Sequence, residues 1–201
     1  SRFAHREPEK FSRLTGQAMA AVMLLAIPLV VGGIILAIPI ISLLYGSDYI
    51  PAVTIFIIML ISFGVIFPAT IANNAILSLN WQKKFLPYMA IGAVLNIILN
   101  TILIPIYGGL GAAASTVTAQ LIGYGIVILI LQRRIKFKLF SLLGKIVVST
   151  TIMGLIAWSM TNAGISMYLV IATSAIVYTG SLSLLRENLV VRLVRMIRKA
   201  T

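Results

Sequence analysis

The sequence predicts an all-α integral membrane protein with six transmembrane helices and a C-terminal amphipathic helix. Three observations lead to this fold class. The chain is 60% hydrophobic and only 10% charged, whereas a soluble domain carries about 25% charged residues. Its apolar runs reach the roughly 20 residues that a membrane-spanning helix needs. Its basic residues gather between alternate runs, which is typical of a polytopic membrane protein.

Charged and turn residues divide the chain into these apolar runs. The segments "GSDYIP", "NWQKKF", "YGG", "RRIKFK" and "NAG" separate them in chain order. The predicted spans are residues 17–45, 51–79, 86–106, 110–132, 140–161 and 166–185. The first two exceed the roughly 20 residues needed to cross a bilayer, so we expect them to tilt or bend.

Proline and glycine residues mark where the spans are expected to bend. Pro28 and Gly32 lie in the first span, Pro68 in the second and Pro105 near the end of the third. Each proline lacks the N–H of a helical hydrogen bond, and its ring clashes with the preceding turn. Such bends either give the helices a fixed shape or allow movement in a transport cycle, and the sequence favours neither interpretation.

The positions of the charges predict the orientation of the chain. Sixteen Lys and Arg residues against four Asp and Glu residues give a net charge of +12. With six spans, all basic groups fall on one face of the membrane. The connections on the other face contain a single charged residue, Asp48. Because basic loops stay cytoplasmic, we expect a protein of the cytoplasmic (inner) membrane with both ends of this segment cytoplasmic. The charge then contacts anionic membrane lipids, and nucleic acid is not an expected partner, since no compact basic domain is present.

The tail after the sixth span, residues 186–201, has the pattern of an amphipathic helix. On a helical wheel, one arc carries Arg192, Arg195, Arg198 and Lys199. The opposite arc carries Leu189, Leu193, Met196 and Ile197. We interpret the tail as a helix that lies in the cytoplasmic headgroup region, with docking to a partner protein as the alternative.

Small residues predict close helix packing in the fourth span. Gly111, Ser115, Ala119 and Gly123 recur every fourth residue, which places them on one face. A strip of small side chains lets a neighbouring helix approach closely.

Polar side chains inside the apolar runs are the candidate cavity-lining residues. Asn96 and Asn100 share a face of the third span, and Gln120 lies at a similar depth on the fourth. The full set of candidates is Asn73, Asn74, Asn96, Asn100, Thr116 and Gln120. An unpaired amide in hydrocarbon costs several kcal/mol, so these groups must face other helices or water. They either form hydrogen bonds between packed helices or line a hydrated cavity.

The residues that the spans lack exclude several classes of function. The chain contains no cysteine, and its single histidine, His5, precedes the apolar runs. No Asp, Glu, His, Lys or Arg lies near the middle of any predicted span. We therefore predict no catalytic residues, no metal site and no cofactor in this segment, and no proton or sodium relay built on carboxylates.

One stretch carries a family resemblance. "PYMAIGAVLNIILNTILIPIYGGLGAAASTVTAQL" resembles the C-terminal part of polysaccharide and O-antigen flippases, which move lipid-linked oligosaccharides and belong to the multidrug/oligosaccharidyl-lipid/polysaccharide exporter superfamily. The upstream stretches "AIPLVVGGIILAIPIISLLYGSDYIPAV" and "SRFAHREPEKFSRL" are similar to that family as well. The resemblance covers about residues 1–135.

The resemblance implies a non-enzymatic transporter with two helical lobes that alternate access to a central cavity. Residues 1–135 would be the last four helices of the C-terminal lobe, 136–185 a terminal transmembrane hairpin, and 186–201 the cytoplasmic tail. Because the chain starts as if internally, we expect an N-terminal lobe of the same protein as its partner and a lipid-linked oligosaccharide as its substrate. The alternatives are a multidrug/cation antiporter of the same superfamily and a non-transporting membrane scaffold. A membrane-embedded glycosyltransferase is disfavoured because the outer connections are short.

Overall fold

The computed structural model describes residues 7–136 and 140–184, with side chains from residue 143 onward in the second range. The predicted amphipathic tail, 186–201, lies outside the described residues. Within them the chain is helical, with short connections. The helices are α1 Pro8–Ile35, α2 Ala37–Tyr45, a 3₁₀ turn Ser47–Ala52, α3 Val53–Ser78, α4 Gln82–Ile135, α5 Phe140–Asn162 and α6 Met167–Leu184.

The long apolar helices follow the predicted runs closely, although α1 begins at Pro8, before the predicted start of the first span at residue 17. Helix α4 has 54 residues, but a non-helical residue, Gly108, divides it into two arms, α4a (82–107) and α4b (109–135). If α4 is counted once, five described helices are long and apolar enough to cross a membrane. With its two arms counted separately, the all-α membrane fold has the predicted six spans, the first of which comprises α1 and α2 together.

Gly108 makes the reversal between the two arms. Its φ of 55° and ψ of −131° lie outside the regions open to residues with a Cβ atom, so glycine is required there. Beyond the turn, a Cβ atom on Gly111 would lie 2.2 Å from the carbonyl oxygen of Leu103. The arms therefore fold back tightly on each other, and Pro105 lies just before the turn.

The first span is interrupted at Leu36, between Gly32 and Pro39. Helix α1 continues through Pro28 and Gly32, and α3 likewise continues through Pro68. Pro39 lies in the first turn of α2, where a helix has no use for its N–H group. Because its ring would clash with the carbonyl group of Ile35 in a continuous helix, the break falls between Ile35 and Ala37. Movement at Pro28, Gly32, Pro68 and Pro105 stays a prediction.

Helix α1 is the centre of the bundle. It packs against α3 on one side and against the α5–α6 hairpin on the other, while α4 packs mainly on α3. One apolar cluster joins α1, α3 and both arms of α4 around Met19, Ile76 and Phe85. A second cluster contains Leu36, Ala157 and Val170. It joins the break between α1 and α2 to the end of the hairpin at which α5 connects to α6.

Basic residues gather at one end of the described bundle, as the charge pattern predicts. The Nζ atom of Lys84 lies 5.9 Å from the centre of the Trp81 ring, and the guanidinium carbon of Arg134 lies 5.8 Å from it. The α3–α4 connection and the end of α4b therefore meet on the same side. Asp48 lies in the 3₁₀ turn at the opposite end. Which end is cytoplasmic stays a prediction.

Candidate functional site

A cavity of about 370 Å³ lies between α3 and the two arms of α4. Its lining combines amide and hydroxyl groups with small residues: Asn73, Met89, Gly92, Ala93, Asn96, Thr116, Ala119, Gln120, Gly123 and Tyr124. We call this space the polar cavity. At 1.5 Å per residue, Asn96 lies roughly 21 Å along α4a from its start, whereas Asn73 lies roughly 8 Å from the end of α3. The cavity thus extends from mid-membrane depth towards the basic end.

The polar cavity brings together four of the six candidate residues. Asn73 comes from α3, Asn96 from α4a, and Thr116 and Gln120 from α4b. Asn74 does not line the cavity: its side chain is exposed on another face of α3. A one-residue step turns a helical side chain by about 100°, which separates Asn73 from its neighbour.

Asn100 supports Asn96 from one turn away. Its Nδ2 atom donates a hydrogen bond of 3.0 Å to Oδ1 of Asn96. This contact leaves the amide NH₂ group of Asn96 to serve the cavity. The Oδ1 atoms of Asn73 and Asn100 are buried and accept no hydrogen bond from the described residues.

Gln120 is held across the helix interface by a residue that the sequence analysis missed. The hydroxyl group of Ser62 in α3 donates a hydrogen bond to Oε1 of Gln120. Ser62 is only 6% exposed, so this bond is shielded inside the bundle. A single serine in an apolar run carries little signal in the sequence, because its partner lies 58 residues away.

Small residues set the width of the cavity. The predicted packing strip, Gly111, Ser115, Ala119 and Gly123, is buried throughout. Its partner on α4a is Gly92, whose own Cβ atom would lie 3.1 Å from the Cα atom of Gly123. The two arms therefore touch through their backbones about one helical turn from Asn96. Gly92 was not singled out from the sequence, since it belongs to no repeat.

The chemistry of the polar cavity is hydrogen bonding without charge. No Asp, Glu, Lys, Arg or His is among its lining residues in the described part of the chain. The described residues also contain no group of three acidic or histidine side chains that could hold a metal ion. Amides and hydroxyls can donate to and accept from a polar uncharged ligand, and the phenol group of Tyr124 adds a further hydroxyl to the lining.

Comparison with known protein families decides which transporter family is present. The family model described as lipid II flippase MurJ matches residues 1–180. The chain belongs to this MurJ family. The MurJ family is a family of flippases, which are transporters and not enzymes. The expected assignment to lipid-linked precursor flippases within the multidrug/oligosaccharidyl-lipid/polysaccharide exporter superfamily is confirmed. The matching family is named for lipid II, however, and the resemblance to O-antigen flippases has no support at family level.

The MurJ-like fold is also found among solved structures. The chain is similar to "Lipid II flippase MurJ, inward closed conformation" with a TM-score of 0.78 and 22% sequence identity. The match covers 94% of this chain and 42% of the solved one, so the chain spans less than half of that relative's length. Among curated proteins, none matches the chain.

Proposed function

We propose that this chain is the C-terminal part of a flippase that moves a lipid-linked saccharide precursor across the cytoplasmic membrane by alternating access. Family membership supports this reading, and so does the uncharged polar cavity between α3 and α4. Residues 1–135 then belong to the C-terminal lobe, 136–185 form a terminal hairpin, and 186–201 form a cytoplasmic tail. An N-terminal lobe of the same protein faces the polar cavity.

The polar cavity carries the proposal because of where it lies. Amide groups at mid-membrane depth are costly unless they serve packing or a ligand. Asn73, Asn96, Thr116 and Gln120 converge on one space, although they come from three helical segments. A saccharide headgroup offers hydroxyl and amide groups that match this lining. The phosphate groups of such a lipid carry negative charge, and we assign them to residues outside the polar cavity.

The description of the matching family supports the peptidoglycan precursor lipid II as the substrate, and we propose it ahead of an O-antigen lipid. Depletion of the complete protein in cells tests this choice. Accumulation of lipid II at the cytoplasmic leaflet supports the proposal. Accumulation of a lipid-linked O-antigen unit would show that the proposed substrate is wrong, while the proposed flippase activity would stand. Normal levels of both lipids would refute transport of either.

A pair of adjacent asparagines tests the role of the polar cavity. Asn73 lines it, whereas Asn74 is exposed on another face of the same helix. We expect Asn73→Leu to impair rescue of depleted cells and Asn74→Leu to rescue fully, at equal amounts of protein in the membrane. Equal rescue by both variants would show that the polar cavity does not contact the substrate.

A further inference from the structure

Pro28 leaves a backbone acceptor inside the membrane without its usual donor. In an α-helix, the N–H group of residue 28 would donate to the carbonyl group of Leu24. Proline has no N–H group, although α1 continues through it. Lipid contains no water that could replace the lost donor, so another part of the protein has to supply one.

Helix α6 supplies this donor. The hydroxyl group of Tyr178 donates a hydrogen bond of 2.6 Å to the carbonyl oxygen of Leu24, which lies 154 residues earlier in the chain. Tyr178 is 7% exposed. Its ring packs in an apolar cluster with Met153 and Leu182, so the hydroxyl group is held in place.

The α5–α6 hairpin contacts α1 both before and after Pro28. Tyr178 binds Leu24, one turn before the proline. Gly154 of α5 lies against Val31, almost one turn after it: a Cβ atom on Gly154 would be 3.1 Å from Cγ1 of Val31. Two contacts with the terminal hairpin, at Leu24 and at Val31, therefore flank the segment of α1 around Pro28.

We propose that Tyr178 is a positioning residue that replaces the backbone hydrogen bond removed by Pro28, and that it thereby joins α1 to the terminal hairpin as one unit. Helix α1 also packs against α3, which carries Asn73 and Ser62. Helix α1 thus contacts both the terminal hairpin and α3, which forms one wall of the polar cavity. A change in the conformation of α1 at Pro28 would therefore be transmitted from the hairpin to this wall. The hydrogen-bond replacement is independent of the substrate, whereas its effect on transport rests on the proposed function.

A double-mutant cycle in the complete protein tests the replacement. Tyr178→Phe removes only the donor hydroxyl, and we expect it to lower the unfolding temperature in detergent by a few degrees. Pro28→Ala restores the N–H group, so Tyr178→Phe is expected to be silent in that background. Tyr168→Phe is the matched control, because Tyr168 lies on the same helix and is 69% exposed. Equal losses from Tyr178→Phe in both backgrounds would overturn the proposal.

The carbonyl group of Leu24 gives a direct readout that does not depend on stability. In solid-state NMR spectra, we expect its ¹³C carbonyl signal to move upfield in Tyr178→Phe and to return in the double variant Pro28→Ala/Tyr178→Phe. An unchanged signal in Tyr178→Phe would refute the hydrogen bond, even if Pro28→Ala fails to fold.

Precursor accumulation in cells provides the functional arm. We expect Tyr178→Phe to rescue depleted cells several-fold less well than the unaltered protein, and the double variant to recover. If Tyr178→Phe loses the Leu24 hydrogen bond but rescues fully, the coupling to transport is wrong. If the unaltered protein moves no lipid-linked precursor, the proposed function fails, while the NMR and stability results still decide the hydrogen-bond replacement.

Discussion

Gly92 and Gly123 join the two arms of α4 backbone to backbone, since a Cβ atom on Gly123 would lie 2.8 Å from the Cα atom of Gly92. A separation this short leaves room for a hydrogen atom only. Both glycines line the polar cavity, so the distance between the arms at this point also sets the width of the cavity.

Substitution at this contact is expected to force the arms apart. Gly123→Ala places a methyl group against backbone that cannot rotate away, and overpacking of this kind costs about 1–3 kcal/mol. Gly125→Ala is the control, because open space surrounds Gly125 and the change gains up to about 1 kcal/mol of helix propensity. Thermal unfolding of the purified protein in detergent compares the two. Equal midpoints for both variants would contradict the close approach.

The reversal at Gly108 predicts a second glycine effect with a different cause. Gly108→Ala has open space around its new methyl group but would hold a φ of 55° with a ψ of −131°, which costs about 1–3 kcal/mol. Gly32→Ala serves as the control, since Gly32 has equal space and lies within helix α1. The unfolding midpoint should fall for Gly108→Ala only. A lower midpoint for Gly32→Ala alone would contradict the conclusion that the turn at Gly108, and not helix α1 at Gly32, requires a glycine.

The hydrogen bond between Ser62 and Gln120 predicts a small but specific loss. Ser62→Ala leaves Oε1 of Gln120 without this donor, and interhelical bonds of this type contribute about 0.6 kcal/mol on average. Ser183→Ala is matched to it, because Ser183 is exposed and donates only within its own helix, to Thr179. A double-mutant cycle of Ser62→Ala with Gln120→Ala measures the pair. Strict additivity would show that the bond contributes nothing.

The arrangement of charges predicts which connections can be reached from each side of the membrane. The chain contains no cysteine, so an introduced cysteine is the only one in this part of the protein. In cells whose cytoplasmic membrane is intact and whose outer layers have been removed, we expect a membrane-impermeant maleimide to label Asp48→Cys. Gln82→Cys, beside the basic residues Lys83 and Lys84, should be labelled only after lysis. The reverse pattern would invert the predicted orientation.

Much of the fold could be predicted from the sequence, because lipid imposes simple rules. Length and hydropathy fix the spans, and basic loops mark one face. "YGG" correctly marks the turn between the two arms of α4, since only glycine accepts the backbone of Gly108. The break at Leu36 was harder to place, because Pro28, Gly32 and Pro39 all lie nearby. Position within the helix decides their effect: Pro28 is interior, whereas Pro39 lies in a first turn.

The site was less accessible to sequence reasoning for a physical reason. A membrane helix that is apolar on all sides shows no polar face, so the sequence does not reveal which side meets a neighbour. Asn73 and Asn74 are therefore indistinguishable until α4 is placed beside α3. The partners Ser62 and Tyr178 were missed for the same reason, because each hydrogen-bonds a residue far away in the chain.

The one-residue turn at Gly108 decides whether the chain crosses the membrane an even or an odd number of times between its connections. A 54-residue helix taken as a single crossing would place Asp48 and the α5–α6 connection on opposite sides. Two antiparallel arms make the number of crossings between those connections even, so both emerge on the same side. The sidedness of everything after α4b thus depends on one residue without a side chain.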